Sequence, residues 1–261
     1  MLEYLTMQRR DDKWFRDVKR IDQAQRRAQE RMEHEQAKIN QRFEKMREQV
    51  DKRHGQPSDT QQRIIEAALV LLEEDGLNNL SLRKLATKLD MKAPALYWHF
   101  NSKDVLIDHM AEAILAKSFH DLQPRNENQS WQDWLQENMM KLRRAMLAYP
   151  DGARVVAGAH LQPAVTLAKL FEYCLISVNS SGKSLKEARY VLMTATTYTF
   201  GFVIEEQSSP SDEEIGAMRL EDMELRFPNI VKATKEAHVS FRDLDKDYKI
   251  GLDYIIKGAS S

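Results

Sequence analysis

Apolar residues recur at helical spacing along nearly the whole chain, and the breaks in that spacing divide it into parts. In the first fifty residues they fall at Trp14, Val18, Ile21, Ala28, Met32 and Ile39, close to a heptad seam, with Gln25 and Glu35 at two seam positions. From Ile39 the spacing changes to Phe43, Met46 and Val50, a four-residue step that acts as a stutter in a coiled coil. Gln, Arg, Glu, Lys and Ala dominate from Asp17 to Arg53, and these are strong helix formers. The pattern predicts one long helix, either a coiled-coil strand or an exposed charged helix lying on the rest of the protein.

HGQPSD, residues 54–59, ends that pattern: Gly and Pro punctuate it, and Ser58 or Asp59 can cap a new helix. Gln61 to Asp75 carries Ile64, Ala68, Leu71 and Leu72 at helical spacing and runs into Gly76, a good C-cap residue. Ser81 opens a short helix over 82–89, with Leu82, Leu85, Ala86 and Leu89 on one stripe. After a turn at Asp90 and Met91, Pro94 marks the first turn of a second short helix, over 93–100, because first-turn N–H groups have no intrahelical acceptor in any case. Asn101 or Ser102 caps a longer helix to about Leu122. Further on, Ser130 caps WQDWLQENMMKLRRAML, Pro150-Asp151-Gly152 breaks it, and helices are predicted near 163–178, 184–206, 229–238 and 243–257. Residues 208–228 are the least regular stretch and are expected to be mobile. With no strand signal and no internal repeat, the prediction is an all-α chain: a helical extension over 1–55, a small helical domain over 59–105 and a larger one over 106–261.

Composition narrows the function classes. The single cysteine, Cys174, excludes an intrachain disulfide framework and a thiolate-cluster metal site, and a buried apolar role suits it. No run of about 18 apolar residues appears, and the N-terminus lacks the apolar core of a signal peptide, so a cytoplasmic protein with no membrane partner is expected. The net charge of −1 hides an uneven distribution: residues 1–58 hold 15 basic and 11 acidic side chains, whereas 106–261 hold 18 and 22. The seven histidines show no HExxH spacing, and neither GxxxxGK[ST] nor GxGxxG occurs, so no catalytic site can be assembled and an enzyme is not expected.

The segment 59–103 has the dimensions of a helix-turn-helix preceded by a supporting helix. On the second short helix Leu96 and Phe100 are four residues apart and can face inward with Ala93 alongside. Tyr97, Trp98 and His99 then project partly outward, between Lys92 and Lys103 at the two ends. A helix lying in a major groove needs small residues near its start to approach base edges, and Tyr, His and Lys to reach phosphates. Arg83, one turn into the preceding helix, is placed for guanine. The alternative is that adjacent aromatic residues simply straddle the edge of a core.

The stretch GLNNLSLRKLATKLDMKAPALYWHFNSKDVLIDHM resembles the DNA-binding domain of the TetR family of bacterial repressors, with LYWHFNSKDVL its most characteristic part. SWQDWLQENMMKLRRAMLAYPDGARV, SLKEARYVLMTATTYTFGFVIEEQ and YKIGLDYIIKG are similar to later helices of the family's tetracycline-binding members, so the resemblance spans about residues 59–258 and leaves 1–58 outside. It implies DNA contacts from Leu82, Arg83, Lys92, Ala93, Pro94, Ala95, Tyr97, Trp98, His99 and Lys103. Lys92, Ala93 and Ala95 stand in the recognition helix where those members carry polar residues, so a different operator is expected. The function implied is a ligand-responsive repressor that binds a palindromic operator in double-stranded DNA as a homodimer and leaves it when a small-molecule inducer binds. A coiled-coil scaffold, or a regulator of the same family acting as an activator or with a corepressor, are the other readings.

Two residues of the larger domain stand out on physical grounds. Asn138 lies on the apolar stripe of Trp131, Trp134, Leu135, Leu142, Ala145 and Met146, and Glu205 continues the stripe of Val191, Ala195, Tyr198 and Phe202. A buried amide or carboxylate needs a partner, which is either an internal hydrogen bond or a polar group of a bound molecule. The resemblance implies the second, with Phe119, Asn138, Leu142, Val156, His160, Phe202 and Glu205 as ligand-binding positions. Phe119 stands where tetracycline-binding members have a ligand-binding histidine, Val156 where they have the histidine that coordinates drug-bound magnesium, and His160 where they have an arginine. Valine cannot replace a metal-ligating imidazole. No cofactor is therefore expected, magnesium-tetracycline is not the expected effector, and a bulkier apolar or aromatic compound is. A twofold dimer is expected because one short recognition helix reads few base pairs, with the helices at 184–204 and 247–258 as its seam and Gly201 and Gly251 permitting close approach.

The extension at 1–58 has three readings: a coiled-coil dimerisation element, a basic end near Arg42–Arg53 that reaches DNA beside the operator, or an unrelated appendage. Deleting residues 1–55 and measuring operator affinity against salt separates the second from the others, because lost phosphate contacts flatten the salt slope.

Overall fold

The computed structural model describes residues 58–208, 220–236 and 244–260, together with single and paired positions between 19 and 45. Met1–Gly55 and Gln56–Ser261 form two separate compact units. In the first unit every described position is helical and exposed. The predicted seam from Trp14 to Val50, and the HGQP part of the boundary, lie outside the described residues.

The second unit begins with α1 (Asp59–Asn79), α2 (Leu82–Lys88), α3 (Ala93–His99) and α4 (Lys103–Ser118). Its start is Ser58, whose Oγ accepts the Gln61 N–H while the Gln61 side chain accepts the Ser58 N–H, a reciprocal cap. Gly76 interrupts α1 at φ 72°, ψ 169°, a conformation only glycine adopts cheaply, so Leu77–Asn79 form a separate turn beyond it. Ser81 and Ser102 cap α2 and α4 by accepting the N–H groups of Lys84 and Val105. Between α2 and α3, Asp90 sits at φ 52°, in the left-handed region that Asp tolerates.

The larger part contains α5 (Trp131–Leu147), α6 (Gly152–Ala157), α7 (Val165–Asn179), α8 (Leu185–Gln207), α9 (Leu220–Arg226), α10 (Pro228–Glu236) and α11 (Leu244–Ser260). Helix α4 packs on α1 at one end and on α5, α6 and α7 at the other, which makes it the strut between the two parts. Helix α8 is the hub of the bundle, packed against α5, α6, α7 and α11. The predicted break at residues 150–152 is present, but it starts a six-residue helix too short for periodicity to reveal. Gly152 is required there, since a Cβ would lie 2.0 Å from the Met146 carbonyl oxygen. Helix α9 falls in the stretch expected to be irregular, and residues 209–219 lie outside the described ones.

Arg143 holds α5, α8 and α11 together. Its side chain is 2% exposed, and a buried guanidinium requires acceptors for its donors. Nε and Nη2 donate to the two Glu206 oxygens at 2.9 and 2.7 Å, and Nη1 donates to Asp245. Its Cζ lies 5.3 Å from the Tyr248 ring centroid and 5.8 Å from that of Phe202. Tyr198 stacks on Tyr248 with centroids 5.4 Å apart, and the buried Thr199 and Tyr248 hydroxyls are 2.7 Å apart. A Cβ at Gly251 would meet the Tyr198 hydroxyl at 2.1 Å, so this glycine serves packing within the chain.

Arg143→Ala strands Glu206 in the bundle and is expected to cost about 3–5 kcal/mol in urea denaturation, most of it recovered by Arg143→Met with Glu206→Leu. The hydrogen bond from Arg143 holds the Asp245 carboxyl below its ordinary value. That contribution is complete above the ordinary carboxylate value and is lost as pH falls through the lowered one. In Asp245→Asn this acid limb of the stability profile is expected to shrink.

Candidate nucleic-acid interface and effector site

The outward face of α2 and α3 follows from how few residues anchor it. Leu96 is fully buried and Phe100 is 1% exposed, its ring edge-on to His109 with centroids 5.4 Å apart. These inward anchors leave Tyr97 at 52% and Trp98 at 88% exposure, the largest apolar surfaces of this part. Arg83, Lys92, Pro94 and Ala95 are exposed beside them, and Ala93 and His99 are half-buried. Two expected contacts are placed differently. The Leu82 side chain is buried, because position 82 heads the inward stripe of α2. The Lys103 ammonium donates to the Leu77 carbonyl at 2.9 Å instead of pointing away from the protein.

That carbonyl belongs to the turn after Gly76, where several groups converge. The Leu77 N–H donates to Asp151 Oδ2 at 2.8 Å. Arg154 bridges Asp151 Oδ1 and Asn78 Oδ1, each at 3.0 Å. Asp151 reaches the turn from φ 55°, just ahead of α6. In sequence Pro150-Asp151-Gly152 reads only as a helix break; the one further signal is an Asp at a position that tolerates left-handed backbone. Helix α4 makes a second set of ties. Asp108, 5% exposed, accepts the His160 N–H at 2.9 Å and faces His160 Nδ1 at 3.1 Å. Glu112 accepts both the N–H and the hydroxyl of Thr166, each at 2.8 Å, at the start of α7. Acids four apart on a helix of mainly apolar inward residues were the available clue to Asp108 and Glu112.

The predicted effector positions separate into two groups. Phe119, Asn138, Leu142 and Val156 are buried on or beside α4, α5 and α6. Asn138 Nδ2 donates to the Trp134 carbonyl at 2.8 Å, so the amide has an internal partner. Lys141 Nζ lies 5.3 Å from the Phe119 ring centroid and also pairs with Asp121, whose carboxyl it holds below the ordinary value. His160 faces outward, 76% exposed, and Phe202 packs against Arg143 and Tyr248. Glu205 is exposed, which corrects the buried stripe: past Tyr198 the inward positions are Thr199, Val203 and Glu206, one register on, and Glu206 is the inward carboxylate, 13% exposed. These residues do not fit a magnesium ion. Val156 offers no donor, Phe119 offers a ring with an ammonium beside it, and among the described residues no three His, Cys, Asp or Glu side chains cluster to hold a metal. Cys174 is fully buried, and burial pushes its thiol up to about 12.

Helices α8 and α11 carry a second exposed face. Tyr190, Met193, Ile250 and Tyr254 are 55, 44, 43 and 73% exposed, and Tyr190 and Tyr254 line a groove of about 400 Å³ with Val191, Thr194, Gly258 and the charged Lys183 and Glu187. A Cβ at Gly201 would meet nothing within 4 Å, so this glycine opens outward, unlike Gly251. Among the described residues no helix is long and apolar enough to cross a membrane.

Residues 64–110 match the model of the tetR family of bacterial regulatory proteins, and residues 123–261 match that of the tetracyclin repressor-like C-terminal domain. The chain is 38% identical over 200 residues to the class C tetracycline repressor of Escherichia coli, covering 75% of this chain and 88% of that one. It is 35% identical to the class G tetracycline repressor of Vibrio anguillarum, covering 75% and 90%. Among solved structures, TetR-Q116A from Acinetobacter baumannii in complex with minocycline aligns with TM-score 0.57 at 33% identity, over 75% of this chain and 93% of that one. A possible TetR family transcriptional regulator from Streptomyces coelicolor aligns with TM-score 0.63 at 28% identity, over 75% and 96%.

The division between anchors and exposed residues is measurable. Phe100→Ala is expected to cost about 3–5 kcal/mol in chemical denaturation, whereas Trp98→Ala changes stability by no more than about 0.5 kcal/mol.

Proposed function

The chain belongs to the tetR family of bacterial regulatory proteins, and from that premise we propose that it is a repressor that binds a palindromic operator as a homodimer and is released by a small-molecule inducer. The observation that carries this reading is the exposed face of α2 and α3, where Arg83, Lys92, Ala93, Pro94, Ala95, Tyr97, Trp98 and His99 stand outside a core closed by Leu96 and Phe100. Exposed aromatic surface next to cations suits a groove lined by phosphates. The family is one of DNA-binding transcriptional regulators, not enzymes.

One recognition helix covers few base pairs, so two copies reading half-sites about 34 Å apart are required. The apolar face of α8 and α11 is the surface for that pairing. Support comes from the exposed Tyr190, Met193, Ile250 and Tyr254 on these two helices and from Gly201, whose Cβ position is open. The effector site lies against Phe119, Asn138, Leu142 and Val156, with Phe202 and His160 at its margins. That lining is apolar apart from the Asn138 amide, so it suits an aromatic or apolar compound with one hydrogen-bonding group, bound without magnesium.

A compound wedged beside Val156 displaces α6, and α6 is tied through Asp151 and Arg154 to the turn at Leu77 and Asn78. Movement there tilts α4 and changes the spacing of the two recognition helices. A drop in operator affinity of 10- to 100-fold needs only about 1.4–3 kcal/mol of such coupling.

Titrating the operator complex with apolar aromatic compounds is expected to release the DNA at equal concentrations with magnesium or with a chelator; if no compound moves the binding curve, the sensor reading fails. Asp151→Ala is expected to retain operator affinity within about threefold while the released fraction falls by about tenfold at fixed compound concentration, read by fluorescence anisotropy. Tyr254→Glu is expected to raise the dimer dissociation constant by more than about 100-fold in sedimentation equilibrium.

A further inference from the structure

We propose that residues 19–45 carry a second DNA-binding surface, a cationic helix face that grips the phosphate backbone of duplex DNA flanking the operator without reading its sequence. This rests on the operator-binding reading and extends it to a part of the chain that neither family model covers.

The first unit is described at fourteen positions between Lys19 and Lys45, all of them helical and exposed. At about 100° per residue these positions share one face about 160° wide. Eight of them are Lys or Arg, against one anion, Glu30. The other acidic residues of the segment, Asp22, Glu33, Glu35 and Glu44, are not among these positions. The 15 basic and 11 acidic side chains of residues 1–58 therefore understate the field of this face.

Like charges also follow one another at helical contact spacing. Arg27 and Arg31 are four residues apart, as are Lys38 and Arg42, and Arg42 and Lys45 are three apart. Such pairs repel on an isolated helix, and an outside polyanion relieves the repulsion. The lysines of α2 are answered within the chain, Lys84 by Asp75 at 3.1 Å and Lys88 by Glu74 at 2.7 Å.

Length and chemistry both suit a duplex. From Lys19 to Lys45 a helix rises about 39 Å, the length of about 12 base pairs, along which DNA presents one negative charge about every 1.7 Å. Lys and Arg contacts to phosphate make no demand on base identity. An anionic membrane would attract the same charge, but an interfacial helix also needs a continuous apolar face, and the seam of this segment is broken by Gln25 and Glu35. Duplex DNA is the partner of the family to which the following domain belongs. Covalent linkage then gives a duplex held by one part a high effective concentration at the other.

The test uses the full chain and a duplex it selects from a random pool. That duplex is prepared as the protected half-sites alone and with about 12 base pairs added at each end, in two unrelated flank sequences. Affinity is measured by fluorescence anisotropy between about 50 and about 200 mM salt. The parent chain is compared with the variant carrying Arg20→Gln, Arg27→Gln, Arg31→Gln and Arg42→Gln, since glutamine keeps helix propensity. On the long duplexes, whichever the flank, the slope of log affinity against log salt is expected to be shallower by about 3–4 in the variant for each extension bound. On the short duplex the two chains are expected to coincide. Lysine at the same four positions is expected to keep the parent slope, because only the charge is used. Equal slopes for parent and variant on the long duplexes overturn the proposal and leave the operator reading standing. So does a variant that loses binding to phosphatidylserine vesicles, or loses mass in sedimentation, with its slope unchanged, since the face then belongs to a membrane or to a second copy. Failure to select any duplex overturns the operator reading itself.

Discussion

The turn that succeeds Gly76 leaves the Leu77 N–H without a backbone acceptor, and the contacts that supply one join the two parts of the second unit. Glycine ends α1 in a left-handed conformation, so the Leu77 N–H leaves the helix ladder and needs an outside partner, while the Leu77 C=O accepts the Leu80 N–H at 3.3 Å and has a lone pair to spare. The N–H finds Asp151 at the head of α6, and the C=O finds Lys103 at the head of α4. Arg154 then closes the set by joining Asp151 to Asn78. One turn of the DNA-reading part is thereby fixed to two helices of the sensing part by groups that are only partly buried. Contacts of this kind hold a geometry while remaining cheap to rearrange, as a switch requires.

The other end of the molecule is built on the opposite principle. Arg143 is enclosed by Glu206, Asp245, Tyr248 and Phe202, and its burial makes the α5–α8–α11 junction costly to disturb. The same helices present Tyr190, Met193 and Tyr254 outward. In the proposed mechanism, a rigid base under the pairing face and an adjustable contact at the reading head would let strain at α6 appear as motion of α4 instead of loss of the dimer. Asp108 and Glu112, on the middle of α4, tie that strut to the segment leading into α7.

Much of this was legible in the sequence. The all-α architecture, the caps at Ser58, Ser81, Ser102 and Ser130, and the inward pair Leu96 and Phe100 follow from periodicity and capping chemistry, because each depends on neighbours within four residues. The family followed from LYWHFNSKDVL and was borne out by the family models. The features that escaped depend on partners far away in the chain. The Lys103 bond to the carbonyl of Leu77, 26 residues earlier, has no signal in the sequence. The stripe through Tyr198, Phe202 and Glu205 lies one register off the inward face, because aromatic rings that lean over a helix edge look like core in a periodicity count. Helix α6 and the Asp151 clamp left no periodic signal, since six residues complete fewer than two turns.

The central claim is that effector binding reaches DNA through the Leu77–Asp151 contact. Hydrogen exchange at the Leu77 amide, measured in the operator-bound dimer before and after adding a compound that releases the duplex, tests it most directly. Slow exchange in the DNA complex that accelerates by about tenfold or more on release, with the Arg143 junction unchanged, is the predicted result. Release of the operator with Leu77 still as protected as before would contradict the account.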